Sequence, residues 1–150
     1  MDLTNLIKET QIRKVLAGSS VAGTVLAATA CVEMDNYNGV CFMAAGMWTS
    51  GAGHLFKLQK CATSTGGSAE DLTGASAEIL NGFQAAVINL AKPRNGHRYI
   101  RGVYIKAAVA SAYGDVFAIQ YNGRKRGDNI NTSSDADSGI EFVSVISPST

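Results

Sequence analysis

The sequence predicts an all-β domain: a β-sandwich or jelly roll of about seven or eight short antiparallel strands, with an N-terminal arm or short helix. The first observation is that short apolar runs recur at intervals of about 8–14 residues, which is typical of sandwiches and barrels. The second is that Gly, Asn and Ser separate these runs, and no sustained helical period interrupts them. The third is composition: 46% hydrophobic and 17% charged residues in 150 indicate one folded domain and exclude intrinsic disorder.

The N-terminal residues 1–18 are predicted to be an arm ahead of a single β-sandwich domain at residues 19–150. Leu3, Leu6 and Ile7 form a short apolar stripe at helical spacing. A helix this short is marginal on its own. We therefore expect the arm to become ordered against a partner or the body, with these three residues as subunit contacts.

The first two predicted strands, 21–34 and 40–49, have the pattern of a hairpin. Residues 35–39 join them and end in the turn signal Asn-Gly. The run 40–49 is apolar at successive positions, which predicts a central strand covered on both faces. A third strand is predicted at 54–61. Residues 62–83 are predicted to be a loop, because Gly74 would end any helix that begins near Ser68.

Short strands continue through the second half of the chain. The predicted strands are 84–90, 98–110, 116–122 and 140–146, with a polar loop at 123–139. A period of two places Tyr99 on a core-facing side and groups Phe117, Ile119 and Tyr121 on another. We therefore expect these aromatic side chains to be buried.

The sequence predicts no enzyme, no metal site and no cofactor. The two histidines are far apart, and no phosphate loop or Gly-x-Ser-x-Gly elbow is present. Cys31, Cys41 and Cys61 make an odd count, which excludes a complete disulfide framework and favours free thiols. Cys31 and Cys41 could face each other across the predicted hairpin, but only if its turn centres near Asn36.

Charge is distributed unevenly, although the formal net charge is only +1. Residues 92–126 contain eight Lys and Arg residues against one Asp, and the tail behind them is acidic. Arg124, Lys125 and Arg126 form the densest basic cluster. Three interpretations stay open: a solvated loop, half of an ion-pair contact between subunits, or phosphate contacts with nucleic acid. The acidic tail and the lack of available stacking aromatics make nucleic acid the least favoured partner.

No membrane association is expected. The apolar stretches are shorter than a membrane span requires. The charged N-terminus also lacks the pattern of a signal peptide.

Several short motifs occur in a specific order over about residues 20–126. They are Asn38-Gly39-Val40-x-Phe42-Met43, Thr49-Ser50-Gly51-Ala52, Asp71-Leu72-Thr73-Gly74, Lys92-Pro93-Arg94 followed by Arg98-Tyr99-Ile100-Arg101, and Ile119-Gln120-Tyr121 before Gly123-Arg124-Lys125-Arg126. In this order they resemble the small virion structural proteins of tailed bacteriophages, and among these the capsid decoration, or cement, proteins. The long arm and the acidic tail depart from that pattern.

The resemblance implies a β-sandwich or jelly-roll body that is often a trimer. Such a protein is made in the host cytoplasm, binds the major capsid protein on the outside of the virion, and bridges neighbouring capsid subunits. Multivalent contact of this kind needs no substrate. The alternatives are a neck, head–tail connector or tail-completion protein of the same kind of virion, and, less favoured, a nucleic-acid-binding module.

Overall fold

The computed structural model describes residues 10–23, 26–46, 54–79, 85–91, 98–106 and 111–123. All regular structure in these ranges is β, and every paired strand is antiparallel, which confirms the predicted fold class. The strands are β1 (Gln11–Leu16), β2 (Ser19–Gly23), β3 (Ala27–Ala28), β4 (Val32–Glu33), β5 (Gly39–Ala44), β6 (Leu55–Cys61), β7 (Glu70–Glu78), β8 (Ala86–Ala91), β9 (Tyr99–Ile105), β10 (Ser111–Tyr113) and β11 (Val116–Tyr121). The predicted strand 140–146 and the loop 123–139, beyond Gly123, lie outside the described residues.

The strands form two main sheets and one small one. The four-stranded sheet has the order β1-β11-β5-β8. In the five-stranded sheet, β3 and β4 pair with one edge of β9, and β6 and then β7 follow on the other. Strands β2 and β10 form a two-stranded ribbon.

The core lies between the inward faces of the two main sheets, as in a sandwich. Phe42 of β5 and Phe56 of β6 join the layers, with ring centroids 6.4 Å apart. Tyr104 of β9 meets Phe56 edge-on at 5.1 Å, and all three side chains are fully buried. These aromatic contacts hold one sheet over the other and thereby fix which strand faces are left outside.

The predicted hairpin is wrong, although the predicted turn exists. The strand before the turn, β4, pairs with β9, whereas the strand after it, β5, lies between β11 and β8 in the other sheet. The backbone N–H of Tyr37 donates to the carbonyl of Met34 (3.1 Å), and both side chains are buried. The turn carries the chain across the core because burial of these two side chains anchors it between the layers.

The loop predicted at 62–83 is also wrong in part, because β7 is a nine-residue strand. Its register on β6 shifts between Lys57 and Gln59, and β7 bulges there around Gly74, whose φ is +79°. Gly74 therefore excludes a helix, as expected, yet it serves as the bulge residue of a strand.

The second half of the predicted arm lies in the four-stranded sheet. Residues 11–16 form β1, which pairs with β11 along its length. Val15 is buried in the core, and its carbonyl accepts a hydrogen bond from the N–H of Ala30 (2.9 Å). Only residues 1–9, which lie outside the described residues, are left as candidates for a detachable arm.

Candidate interaction surface

The outer face of the four-stranded sheet is built from aligned rows of mostly apolar side chains. Residues that are paired across antiparallel strands project from the same face. One row crosses the sheet as Lys14, Phe117, Met43 and Val87, and the next as Ile12, Ile119, Cys41 and Asn89. We call these eight side chains the apolar face, since six of them are apolar or thiol groups.

The apolar face contains exposed hydrophobic side chains that pair with each other. Three large hydrophobic side chains are exposed among the described residues: Val87 (57%), Leu26 (50%) and Met43 (41%). Met43 and Val87 are direct cross-strand partners. Partial burial also raises the pKa of the Cys41 thiol in the neighbouring row, because the thiolate would lose solvation there.

The area of the outer sheet face, which consists of the two rows of the apolar face and a third row with Tyr121, Gly39 and Ala91, can be worked out from its strands. Four strands spaced about 4.8 Å apart, each six residues long at about 3.3 Å per residue, cover about 400 Å². Apolar patches of this size on soluble proteins are often functional. A standard protein interface takes roughly 800 Å² from each partner, so this face alone supplies about half.

The outer face of the five-stranded sheet has the opposite character. The Asp71 carboxylate accepts hydrogen bonds from Lys57 Nζ (2.5 Å) and Gln59 Nε2 (2.7 Å), and Arg101 Nε donates to Gln59 Oε1 (2.9 Å). The hydrogen bonds from Lys57 and Gln59 lower the pKa of the Asp71 carboxyl. This connected polar ladder satisfies its own donors and acceptors, so the face suits water. Of the two sheet faces that the structure describes, the one on the four-stranded sheet is therefore the candidate contact surface.

Tyr121 closes one end of the apolar face. Its ring lies over Gly39, where any added Cβ would collide with it, and its hydroxyl donates to Asn89 Oδ1 (2.8 Å). The ring thus spans β5 from β11 to β8. A glycine in a strand is the residue that permits such a close approach.

A groove of about 510 Å³ opens at the opposite end of this face, beside Phe117. Residues 18–20 form one wall, and Ala45 and residues 113–115 form the other. The Gly18 N–H donates to Asp115 Oδ1 (2.6 Å), which occupies that carboxylate oxygen. The groove therefore extends the apolar face.

The pairing considered for Cys31 is also corrected. All three cysteines are free, and the thiol that contacts Cys31 is that of Cys61, not Cys41. Burial, together with the Cys61 thiol, raises the pKa of Cys31 to about 11. Because so little Cys31 thiolate exists near neutral pH, Cys31 is a poor nucleophile.

The subunit contacts predicted from sequence lie outside the described residues. This holds for Leu3, Leu6 and Ile7 in the arm and for Arg124, Lys125 and Arg126 after β11.

The aromatic side chains that we expected to be buried are described by the structure, and they do not lie in the core. Phe117 and Tyr121 are half-buried on the outer face, and Tyr99 lies on the outer face of the five-stranded sheet. The inward positions of β11 are instead Val116, Ala118 and Gln120. The strand alternates apolar residues on both faces, so its period shows which residues share a face but not which face is inside.

Further features of the described ranges bear on function. No group of three His, Cys, Asp or Glu side chains converges there as a metal site would require. The same ranges contain no helix that is long and apolar enough to cross a membrane. Comparison with protein-family models, curated protein sequences and solved structures finds no match to the chain.

Proposed function

We propose that this protein is a virion structural protein of a tailed bacteriophage that binds the outside of the capsid and bridges neighbouring capsid subunits. The observation that carries the proposal is the apolar face, where Met43 and Val87 are exposed as a cross-strand pair. A surface of this kind acts by contact and has no need of catalytic groups. The order of sequence motifs supports the bacteriophage origin.

The size of the apolar face supports multivalent binding. A contact of about 400 Å² is too small for a stable one-to-one complex by itself. Several such contacts engaged together give an avidity far above that of one. If the protein binds the assembled shell better than dispersed subunits, binding linkage stabilises the shell.

In this proposal the major capsid protein is the partner and the protein works as a homo-oligomer. It is made in the host cytoplasm and ends on the capsid surface. Arg124, Lys125 and Arg126 supply salt-sensitive ion pairs to protein, so reversal of the three charges should slow attachment most at low salt. Tight binding of the purified chain to duplex DNA at ~150 mM salt would instead favour phosphate contacts.

The test is the number of copies in purified virions whose genome encodes this chain, measured by mass spectrometry against labelled peptide standards. A decoration protein should be present in hundreds of copies on full particles. About six to a dozen copies would favour a neck or connector ring. Absence from washed particles would reject both virion assignments.

A further inference from the structure

The strand at one end of the four-stranded sheet lacks the charges, prolines and bulges that commonly protect a sheet edge. Strand β8 is the last strand of the sheet and pairs only with β5, in an unbroken six-residue register. Its sequence, AVINLA, contains no charge, no proline and no glycine. Among the described residues, no further backbone hydrogen bond reaches β8. Such an edge offers its unpaired N–H and C=O groups to another extended chain.

The other edges of the two main sheets are protected in the described ranges. At the opposite end of the same sheet, β1 carries Arg13 and Lys14 and has a register shift directly after them. Strand β7 has a bulge and the exposed acids Asp71 and Glu78. Strands β3 and β4 are only two residues long. Charge, bulges and shortness are the usual protections against edge pairing, and β8 has none of them.

We propose that β8 pairs with β8 of a second copy of this chain, antiparallel, so that two four-stranded sheets become one sheet of eight strands. A second copy is the occupant that fits this edge, because it carries the same charge-free β8 edge and a two-fold contact pairs like with like. Edge pairing places two apolar faces side by side, and the surface grows from about 400 to about 800 Å². That matches what one partner contributes to a standard interface.

The side-chain alternation restricts how the two copies can pair. The two apolar faces lie on the same side of the combined sheet only if the pairing is centred on a β8 residue that lies opposite the same residue of the other copy. The two residues at the centre of β8 are Ile88 and Asn89. Val87 then lies directly opposite or diagonal to Ala91 of the other copy. Both side chains are exposed on the outer face of the monomer, so they accept charged substitutions.

This arrangement has two-fold symmetry and differs from the three-fold one that the sequence resemblance implies. It rests on the proposed function only for the use of the enlarged face. The dimer is tested without capsids, so its failure and that of the proposed function can be told apart.

The experiment is light scattering of the full chain during size exclusion over a tenfold dilution, with two double variants. Unsubstituted protein should have twice the chain mass of 15.7 kDa. Val87→Lys/Ala91→Lys places like charges across the pair and should weaken dimerisation at least about tenfold. Val87→Lys/Ala91→Glu removes the same apolar groups but pairs opposite charges, and should restore the dimer.

The matched control is Leu26→Lys, an equally exposed hydrophobic position outside the four-stranded sheet, which should leave the dimer mass unchanged. A monomer at every concentration would overturn the proposal, since it would mean that β8 stays unpaired or is covered within the chain. A trimer would overturn it in favour of three-fold assembly. A Lys/Lys variant that remains fully dimeric would overturn it as well.

Discussion

Substitution of Met43 by Lys tests whether the apolar face binds the capsid. Met43 lies inside the sheet between Phe117 and Val87, one strand away from the proposed dimer edge. Its side chain is 41% exposed, so docking removes the exposed part from water. Full burial of a methionine contributes about 1.5–3 kcal/mol, so the exposed share amounts to about 1 kcal/mol.

A lysine at this position loses that contribution and adds a second cost. Its ammonium group would be desolvated in the contact without a partner, which costs about 2 kcal/mol more. The sum of about 3 kcal/mol predicts a roughly hundredfold weaker contact. The unbound protein should change little in stability, by about 1 kcal/mol or less, because the lysine stem covers the same surface and its amine reaches water.

The assay is co-sedimentation of purified protein with capsids that lack it, at several protein concentrations. Met43→Leu keeps the apolar contact and should bind like the unsubstituted chain, and Leu26→Lys is a control for an added surface charge. Urea unfolding of each variant checks that the fold is intact. If folded Met43→Lys protein binds capsids with unchanged affinity, the apolar face is not the contact surface.

Three further predictions follow from individual contacts. Deletion of residues 1–9 should leave the urea midpoint unchanged and reduce capsid binding. Deletion through Leu16 also removes β1 and should destabilise the body. Equal capsid binding without residues 1–9 would refute the prediction that they form an attachment arm. Asp71→Asn should make the free energy of unfolding less dependent on pH in acid. Lys57 lowers the folded-state pKa of the Asp71 carboxyl. The contribution of Asp71 to stability is therefore present above the unfolded pKa of about 3.9 and is lost as pH falls through the folded pKa. Parallel stability curves for the variant and the parent from pH 2 to 6 would contradict this. Tyr104→Phe should lower the free energy of unfolding in urea by about 1–2 kcal/mol, because the buried hydroxyl donates to the carbonyl of Ala45. The control is Tyr99→Phe, at a half-buried position. Equal losses for both variants would count against a stabilising role of this hydrogen bond.

The sequence by itself determined the fold class and the position of five of the eleven described strands. Short apolar runs between Gly, Asn and Ser residues predict β-strands because local backbone preference and side-chain alternation act within a few residues. Five of the predicted runs overlap single strands of the structure, namely β5, β6, β8, β9 and β11. The predicted run 21–34 is divided among β2, β3 and β4. Between β3 and β4, the hydroxyl of Thr29 accepts a hydrogen bond from the N–H of Gly102 (2.9 Å).

The candidate surface was invisible to sequence because alternation is symmetric. In β11, Phe117 and Ile119 look more like core residues than Ala118 and Gln120 do, yet the smaller and polar residues lie inside. Gln120 is tolerated there because its side-chain amide donates to the backbone carbonyl of Glu33 (2.6 Å). That bond joins residues distant in sequence, and no local pattern reports it.

Tertiary structure alone decided which strands are neighbours and which face is outside. The turn at Met34 and Tyr37 joins two layers instead of two paired strands, because burial of those side chains outweighs local hairpin pairing. Strand order then leaves β8 at an edge and places Met43 beside Val87 on the exposed side. Local sequence sets the period of each strand. Which face lies inside is decided by long-range packing between the two main sheets, where the rings of Phe42 and Phe56 meet.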